Sequence, residues 1–291
     1  MIFKSFLVFI SLSVFYAFII DTFALKGASQ NQNQDNLIKA QNYLFEDFDN
    51  ASNVIVGTSL SCHLTMDSLV DFYNLSFNGS SIYDGLNIIL KSDNKPKVVY
   101  IESNFYLKDL SGVFDEQLFS FYSFYSSKFF PIVRYKNQPI GIFNTLFDDF
   151  GYLVVQKHNL LTEKIRYKFN GKAQNTQNDK LFEDVLKNYT QEYQEKPVQN
   201  ELDFYLLKIK YFVEKLKKMK VKVIFFEMPI NTKLVNLNRP KLLRAALKNK
   251  FQNERFLPFD STFRYQTSDG LHLKNEESVA YTRFFKNNII K

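Results

Sequence analysis

The chain is poor in the residues that build redox and metal sites. Its 291 residues include one cysteine, three histidines and no tryptophan. The single cysteine, Cys62, excludes an intramolecular disulfide and any CxxC metal or redox motif. Three scattered histidines, His63, His158 and His272, do not predict a His-rich metal centre. We therefore expect no metal and no cofactor, and a fold whose core alone provides its stability.

Charge is also not concentrated in one place. The formal net charge is +7, but the lysines are scattered, with one dense run from Glu214 to Lys222. Such a run is more typical of the solvated end of a helix than of a binding surface, so we expect no nucleic-acid partner. Hydrophobic residues make up 45% of the chain and charged residues 23%, which is enough for one sizeable core.

The N-terminus carries a long hydrophobic run. Residues 1–25 contain about 16 apolar residues between Lys4 and Asp21, near the lower limit for crossing a bilayer. No small-x-small cleavage site follows convincingly, so an uncleaved anchor is favoured over an export signal or a buried core helix. Lys4 places the N-terminus inside, although Lys26 weakens that bias. The polar, Ser/Gln/Asn-rich residues 26–50 are predicted to be a linker.

From residue 51 to 291 the pattern is that of an α/β domain. Short buried strands are predicted at NVIVG, FYNLS, KVVYIES and VKVIFFE, and helices at IYDGLNIILKS and DFYLLKIKYFVEKLKKMK. Their alternation predicts a three-layer α/β/α domain with a mostly parallel sheet. The rhythm stops between about residues 107 and 199, which we interpret as an insertion that caps or borders the functional site.

A serine follows the first predicted strand. Gly57, Thr58 and Ser59 lie where that strand turns into a helix, and ligands bind at such strand ends in open α/β sheets. Free N–H groups of the new helix would attract developing negative charge. The alternative is that Thr58 or Ser59 simply caps the helix. By itself, the motif does not decide between a nucleophile and a cap.

An Asp-x-x-His motif lies near the C-terminus. Asp269 precedes His272 by three residues, with Gly270 between them to permit a tight turn. In such a turn the carboxylate can hold the imidazole Nδ1–H, which leaves Nε2 free to accept a proton from a serine. The alternative is an aspartate that caps the last helix beside a surface histidine. The motif alone favours that alternative.

Two further strand ends supply candidate oxyanion donors. Asn78 and Gly79 follow one strand, and the free φ of glycine lets a backbone N–H point into a site. Asn104 follows the next strand, and its side-chain amide is a second donor. With the N–H of Ser59, these groups would form an oxyanion hole.

In this order, Ser59, Gly79, Asn104 and His272 with Asp269 resemble the SGNH (GDSL-like) hydrolase superfamily, which is named after its Ser, Gly, Asn and His. The resemblance spans nearly all of the chain after residue 50. It implies an SGNH-like, flavodoxin-like fold and a serine nucleophile served by His272 and Asp269, with Ser59, Gly79 and Asn104 as oxyanion donors. The sequence departs from the family's GDS at one position, where Thr58 replaces the aspartate.

The GTS strand end and the N-terminal segment narrow the resemblance. They are similar to membrane-tethered SGNH proteins of bacterial envelopes, which act beside membrane-bound O-acyltransferases in alginate or peptidoglycan O-acetylation and in teichoic acid D-alanylation. This resemblance implies acyl transfer to an envelope polysaccharide with such a partner. It also implies a catalytic domain outside the cytoplasm, in the periplasm or on the outer face of the cell membrane.

Five residues are candidates for the substrate pocket because they lie near these motifs or at another strand end: Thr58, His63, Asn78, Pro229 and Asn231.

Other residues receive weaker interpretations. Glu227, two residues before Pro229, is a further candidate for the pocket. A Cys62 thiol nucleophile assisted by His63 is disfavoured because adjacent helix residues point in different directions. His158 has no acidic neighbour in the chain and is interpreted as a surface residue.

Three functions remain open from the sequence. An O-acyltransferase and a carbohydrate acetyl esterase need the same residues, since they differ only in whether a sugar hydroxyl or water attacks the acyl-serine. A glycan-binding scaffold subunit would keep the pocket without turnover. The acyltransferase is the preferred interpretation.

Overall fold

The computed structural model describes residues 2–23, 29, 31–46, 52–142, 181–260 and 264–289. The chain divides into two compact units. The first combines Met1–Phe45 with Glu116–Gly171, and the second combines Glu46–Asp115 with Lys172–Lys291. The return segment of the first unit falls within the stretch that the sequence marks as an insertion.

The first unit begins with an apolar helix, α1, at Ile2–Phe23. The segment Ile2–Ile20 of this helix has 19 residues and a mean hydropathy of 2.1, and 0% of its most apolar stretch is buried. At about 1.5 Å per residue, such a helix spans about 28 Å, close to the hydrocarbon thickness of a bilayer. The helix is therefore long and apolar enough for a membrane anchor, and a signal sequence would share these properties.

The stretch predicted to be a linker, residues 26–50, contains a helix. This helix, α2, extends over Gln32–Phe45, and its Leu37, Ala40 and Tyr43 are buried. Their spacing of three residues puts them on one face, so packing stabilises a segment whose polar composition suggested otherwise. The prediction of a linker is wrong for Gln32–Phe45.

The remaining described helices of this region are α5 at Gly112–Phe119 and α6 at Phe121–Phe129. Two 3₁₀ turns follow, Pro131–Val133 and Tyr135–Asn137. Helix α6 packs on α2, where the rings of Phe45 and Phe124 lie 5.4 Å apart and Gln41 Nε2 donates to Ser127 Oγ over 3.1 Å.

The second unit is built on a parallel five-stranded sheet. Its strands are β1 Asn53–Val56, β2 Phe72–Asn74, β3 Val98–Glu102, β4 Lys222–Phe226 and β5 Arg255–Phe256. The strand order is β2-β1-β3-β4-β5, and every neighbouring pair is parallel. The predicted parallel α/β class is confirmed, and the four predicted strands form β1 to β4.

Helices cover both faces of this sheet. They are α3 Ser59–Cys62, α4 Ile82–Lys91, α7 over residues 181–194, α8 Gln199–Lys218, α9 Asn238–Lys250 and α10 Asn275–Ile289, with a 3₁₀ turn at Met66–Ser68. Helix α4 begins with a capping box between Ser81 and Asp84, which satisfies N–H groups at its start. The two helices predicted from apolar spacing are α4 and α8.

The two faces have separate aromatic cores. On one face, Tyr83 of α4 contacts Tyr205 and Phe212 of α8, with ring centroids 6.0 and 5.7 Å apart. On the other face, Phe285 of α10 meets the rings of Tyr100 and Phe226 at 5.6 and 5.0 Å. Because strand residues alternate between faces, Tyr100 in β3 and Phe226 in β4 point toward the same helix.

We predict that Phe285→Ala destabilises the second unit strongly. Phe285 is 1% exposed, and its removal leaves a cavity among aromatic rings, so the free energy of unfolding should fall by about 3–5 kcal/mol. Urea unfolding of the purified, detergent-solubilised chain measures this change.

The matched control is Val279→Ala on the same helix, which is 44% exposed and should change the unfolding free energy by no more than about 0.5 kcal/mol. Equal effects of the two substitutions would contradict the packing of α10 on the sheet.

Candidate active site

Ser59 lies at the carboxyl end of β1, directly after the strand. Thr58 is the N-cap of the single-turn helix α3, and its Oγ1 accepts a hydrogen bond from the Leu60 N–H. The capping function therefore belongs to Thr58. Ser59, the first helical residue, keeps its hydroxyl for another partner.

That partner is His272, which is in turn bonded to Asp269. Ser59 Oγ lies 2.8 Å from His272 Nε2, and His272 Nδ1 lies 2.6 Å from Asp269 Oδ2. A carboxylate can only accept hydrogen bonds, so Nδ1 carries the proton and Nε2 accepts from the serine hydroxyl. The three residues predicted as catalytic are thus brought together in a linear relay.

The turn that presents Asp269 and His272 is held by main-chain hydrogen bonds. Gly270 has a φ of 97°, in the left-handed region that favours glycine. The Ser268 N–H donates to the His272 carbonyl at 2.8 Å, and the Asn231 N–H donates to the Gly270 carbonyl at 2.9 Å. Asn231 therefore ties the end of β4 to the histidine turn.

The Asp269 carboxylate stays ionised more readily than an ordinary aspartate. Partial burial tends to raise its pKa, but hydrogen bonds from the N–H groups of His272 and Leu271 and from the imidazole outweigh burial, and the pKa falls. The backbone bonds are 2.8 Å from His272 and 3.0 Å from Leu271. An ionised Asp269 orients the imidazole and would stabilise it when it takes a proton.

A second carboxylate, Glu102, lies beneath the serine turn. Glu102 ends β3 and is 0% exposed. Its Oε2 accepts from the N–H groups of Thr58 and Ser61 at 2.9 and 3.1 Å and from Ser61 Oγ at 2.6 Å, while Oε1 accepts from Thr58 Oγ1 at 2.8 Å. Four donors from the two residues that flank Ser59 and Leu60 thus converge on one side chain.

Burial raises the pKa of Glu102, and these hydrogen bonds oppose that rise without cancelling it. The position of the Glu102 carboxyl also explains why residue 57 is a glycine. A Cβ at residue 57 would lie 1.9 Å from Ser61 Oγ and 2.5 Å from Glu102 Oε2, so only glycine lets the strand pass this close to the network. In the GTS motif, Gly57 leaves room for Glu102, Thr58 caps helix α3, and Ser59 presents its hydroxyl to the cavity.

Ser59 and His272 open into a cavity of about 380 Å³. Apolar and aromatic side chains form much of its wall: Leu60, Phe105, Leu107, Tyr189, Tyr193, Leu243 and Leu271. Charged side chains stand at Lys108, Glu192 and Arg239, and Thr58, Gly79 and Ser80 complete the lining. A mostly apolar cleft with a few charged groups is typical of a small-molecule or polymer-end site.

Gly79 lines the cavity. Its φ is 71°, and because glycine has no side chain, only its main chain lines the cavity. Lys108 Nζ donates to the Gly79 carbonyl, which holds the turn after β2 from the opposite wall. Asn78 is half-buried beside it and is not among the lining residues.

Asn104 does not line this cavity. Its Nδ2 donates to the Met228 carbonyl at 2.8 Å, and its Oδ1 accepts from the Met228 N–H at 2.7 Å. The side chain thus closes the gap between the ends of β3 and β4 and lines a small neighbouring cavity with Glu227. The amide predicted as an oxyanion donor is engaged in holding the sheet.

The other candidate pocket residues have separate positions. Thr58 lines the cavity but uses its hydroxyl on Glu102 and the helix cap. The ring of exposed His63 lies 5.8 Å from that of His272 in an edge-on contact. Pro229 is buried and, like Asn231, is not among the lining residues.

Glu227 and Cys62 also stand apart from the relay. Glu227 forms a bidentate ion pair with Arg244, with distances of 2.5 and 2.6 Å. Cys62 is half-buried and does not line the cavity. His158 lies outside the described residues.

Several functional residues were missed in the sequence. Helix α7 supplies Tyr189, Glu192 and Tyr193 to the cavity, although it lies in the segment where no clean period was recognised. Phe182, Leu186, Tyr189 and Tyr193 do share helical spacing, which could have identified it. Glu102 had a signal as well, since a charged residue at the end of a buried strand is costly without partners.

No family model, curated protein or solved structure matches this chain. Among the described residues, no group of three or more His, Cys, Asp or Glu side chains could hold a metal ion. The geometry of the site itself indicates the chemistry that it can perform. A hydroxyl bonded to a carboxylate-oriented imidazole, at the mouth of a cleft, can lose its proton to that imidazole as it attacks a carbonyl carbon.

We predict that Glu102→Gln slows the reaction of Ser59 with a serine-directed fluorophosphonate. The NH₂ group of the new amide replaces one acceptor oxygen and faces the donors of Thr58 and Ser61, so the serine turn shifts. A displacement of the serine near 1 Å lowers the rate of its reaction roughly 100-fold. Mass spectrometry of the labelled chain follows the rate.

Glu254→Gln is the matched control, because Glu254 is paired at 2.6 Å with Lys217 and does not line the cavity. It should label at the wild-type rate. An unchanged rate in Glu102→Gln would show that the buried carboxylate does not position the serine.

Proposed function

We propose that this protein is a serine-dependent acyl-transfer enzyme of the SGNH type. The observation that carries the proposal is the relay from Ser59 through His272 to Asp269, with distances of 2.8 and 2.6 Å, at the wall of a cleft. A surface histidine without a role in the site would not need hydrogen bonds to both Ser59 and Asp269. The relay has the parts of a nucleophile, a general base and an orienting carboxylate.

In the proposed mechanism, His272 Nε2 removes the Ser59 proton as Oγ attacks the carbonyl carbon of an acyl donor. The carbonyl oxygen becomes an oxyanion, for which we assign the N–H groups of Ser59 and Gly79 as donors. The tetrahedral intermediate then collapses, His272 gives its proton to the leaving oxygen, and an acyl-serine remains. A hydroxyl of the acceptor, deprotonated by the same imidazole, releases the acyl group.

Asn104 has a different part in this proposal from the one that the family pattern implies. Its amide holds Met228, so we assign it the support of the β3 and β4 ends beside the cleft. The remaining SGNH-type features support the proposal. Ser59 follows β1, Gly79 follows β2, and the strand order 2-1-3-4-5 is a flavodoxin-like order with its switch point between β1 and β3.

We further propose that the acceptor is an envelope polysaccharide and the reaction O-acetylation, with a membrane-bound O-acyltransferase as the source of acyl groups. Two features support this. Helix α1 can hold the chain at a membrane, and the cleft offers the tyrosine rings of α7 with Lys108 and Arg239, groups that suit sugar rings and their polar substituents. The catalytic unit would then lie on the extracytoplasmic side.

A carbohydrate acetyl esterase is the main rival, because water could replace the sugar hydroxyl at the acyl-serine. A non-catalytic glycan-binding subunit is the other. Both rivals are outcomes of the experiment that follows.

We predict that Ser59→Ala abolishes release of acetyl groups from a chromogenic acetyl ester, with a loss of roughly 10⁴- to 10⁶-fold as for other serine nucleophiles. The purified full-length chain is assayed in detergent. The control is Ser126→Ala, a half-buried serine of α6 outside the cleft, which should keep full activity. Equal turnover in Ser59→Ala and wild type would contradict Ser59 as the nucleophile, and no turnover in either chain would leave the binding subunit.

Oligosaccharide acceptors added to the same assay separate transferase from esterase. We expect acetylated oligosaccharide, detected by mass spectrometry, to form at the expense of free acetate. Release of acetate that no acceptor diverts would identify an esterase.

A further inference from the structure

Helix α6 in the first unit exposes a set of aromatic side chains to solvent. Phe121 and Tyr122 are each 82% exposed, and Phe129 is 65% exposed. We define the aromatic face as Phe121, Tyr122, Tyr125, Phe129 and Phe130, all of which are exposed. Aromatic side chains left in water in one contiguous group mark a surface that contacts something else.

The aromatic face is ordered by its own contacts. The rings of Phe121 and Tyr125 lie 4.8 Å apart, and those of Tyr125 and Phe129 lie 6.1 Å apart and nearly parallel, at 11°. These residues recur every four positions, so they form one stripe along the helix. The opposite side of α6 is already packed, with buried Ser127 bonded to Gln41 of α2, and Phe124 packs against Phe45 between the two sides. The stripe is therefore a second apolar face, beyond the one that the unit uses for its own packing.

The same unit contains the membrane-length helix α1. The Tyr16 hydroxyl of α1 donates to the Asn137 carbonyl at 2.8 Å, and Asn137 Nδ2 donates to the Pro131 carbonyl at 2.8 Å. Pro131 directly follows Phe129 and Phe130 in the chain. Two hydrogen bonds thus connect α1 to the C-terminal end of the aromatic face.

The contact on α1 lies near the end of its apolar span. Tyr16 is four residues before Ile20, where the span ends, which is about 6 Å along the helix axis. If α1 crosses a bilayer, this position falls within about 6 Å of the boundary between hydrocarbon and headgroups. The end of α6 that adjoins Pro131 is then held at the same depth.

The charges around the aromatic face suit a lipid surface. Residues 117–142 contain no aspartate or glutamate, and their charged residues are Lys128, Arg134 and Lys136. Arg134 is buried and its Nε donates to the Ser127 carbonyl, so it takes no part in this surface, which leaves Lys128 and Lys136. Lys128 Nζ lies 5.8 Å from the centre of the Phe124 ring, on the aromatic helix itself. Tyrosine is enriched at the membrane interface, phenylalanine occurs on the apolar face of helices that lie in that interface, and basic residues are attracted to anionic headgroups there.

We propose that the aromatic face of α6 lies in the headgroup region of the bilayer that α1 crosses, so that the first unit contacts the membrane through two elements. The proposal does not depend on acyl transfer, because none of its residues belongs to the cleft. The occupant is the lipid surface, and a covering protein is the alternative that the experiment distinguishes.

The test uses the absence of tryptophan from the chain. Phe121→Trp and Phe129→Trp each place a single fluorophore on the aromatic face by a conservative change at an exposed position. Phe204→Trp, on an aromatic that is 55% exposed in α8, is the matched control. The full-length variants are reconstituted in nanodiscs of mixed neutral and anionic phospholipid, once with ordinary and once with acyl-chain-brominated lipid.

We expect blue-shifted emission at positions 121 and 129 in nanodiscs and loss of most of that emission with brominated lipid, while the Phe204→Trp emission is the same in both lipids. Emission typical of water at both positions would overturn the proposal. Blue-shifted emission that brominated lipid does not quench would also overturn it, because protein would then cover the aromatic face.

Discussion

One hydrogen bond, from Ser59 to His272, joins residues that are 213 positions apart in the chain, and the site depends on it. Such a contact cannot arise from local structure, so the parallel sheet has to supply it. Strand β1 carries Ser59 to the edge where all the strands end, and the turn before α10 brings His272 to the same edge. The left-handed Gly270 and the bond from Asn231 to its carbonyl fix the direction of the imidazole. A serine in this position is held ready by elements from both ends of the domain.

The buried Glu102 explains why the serine turn is stable at such an exposed edge. A one-turn helix leaves N–H groups without helical partners, and the carboxylate accepts from two of them and from two hydroxyls. Burial of this acid is costly, as its raised pKa records, and the four hydrogen bonds offset the cost. The arrangement places a buried carboxyl group behind the turn and leaves the cleft side open to substrate. Gly57 is then a steric requirement of the network, since any side chain there would meet Ser61 and Glu102.

The sequence predicted what depends on short-range pattern. Strands β1 to β4 were predicted from short continuous apolar runs, and helices α4 and α8 from apolar residues at helical spacing. The residues of the relay come from a motif at a strand end and from an Asp-x-x-His motif in the turn before α10. It failed where packing overrides composition: α2 is polar in sequence but buries Leu37, Ala40 and Tyr43 on one face. The sequence also could not show which hydrogen-bond partners a polar side chain would take. Asn104 was expected at the oxyanion, but the adjacent Met228 main chain offers both a donor and an acceptor to its amide. For Glu102, the four donors become neighbours only after β1 and β3 pair.

The central claim is that Ser59 carries the acyl group between donor and acceptor. The most direct measurement is rapid acid quenching of the full-length chain during turnover of an acetyl ester, followed by intact-mass and peptide analysis. We expect a chain heavier by one acetyl group, located on the peptide that contains Ser59 and removed when an acceptor is added before quenching. An acetyl group on another residue, or ester consumption without any acetylated chain, would contradict it.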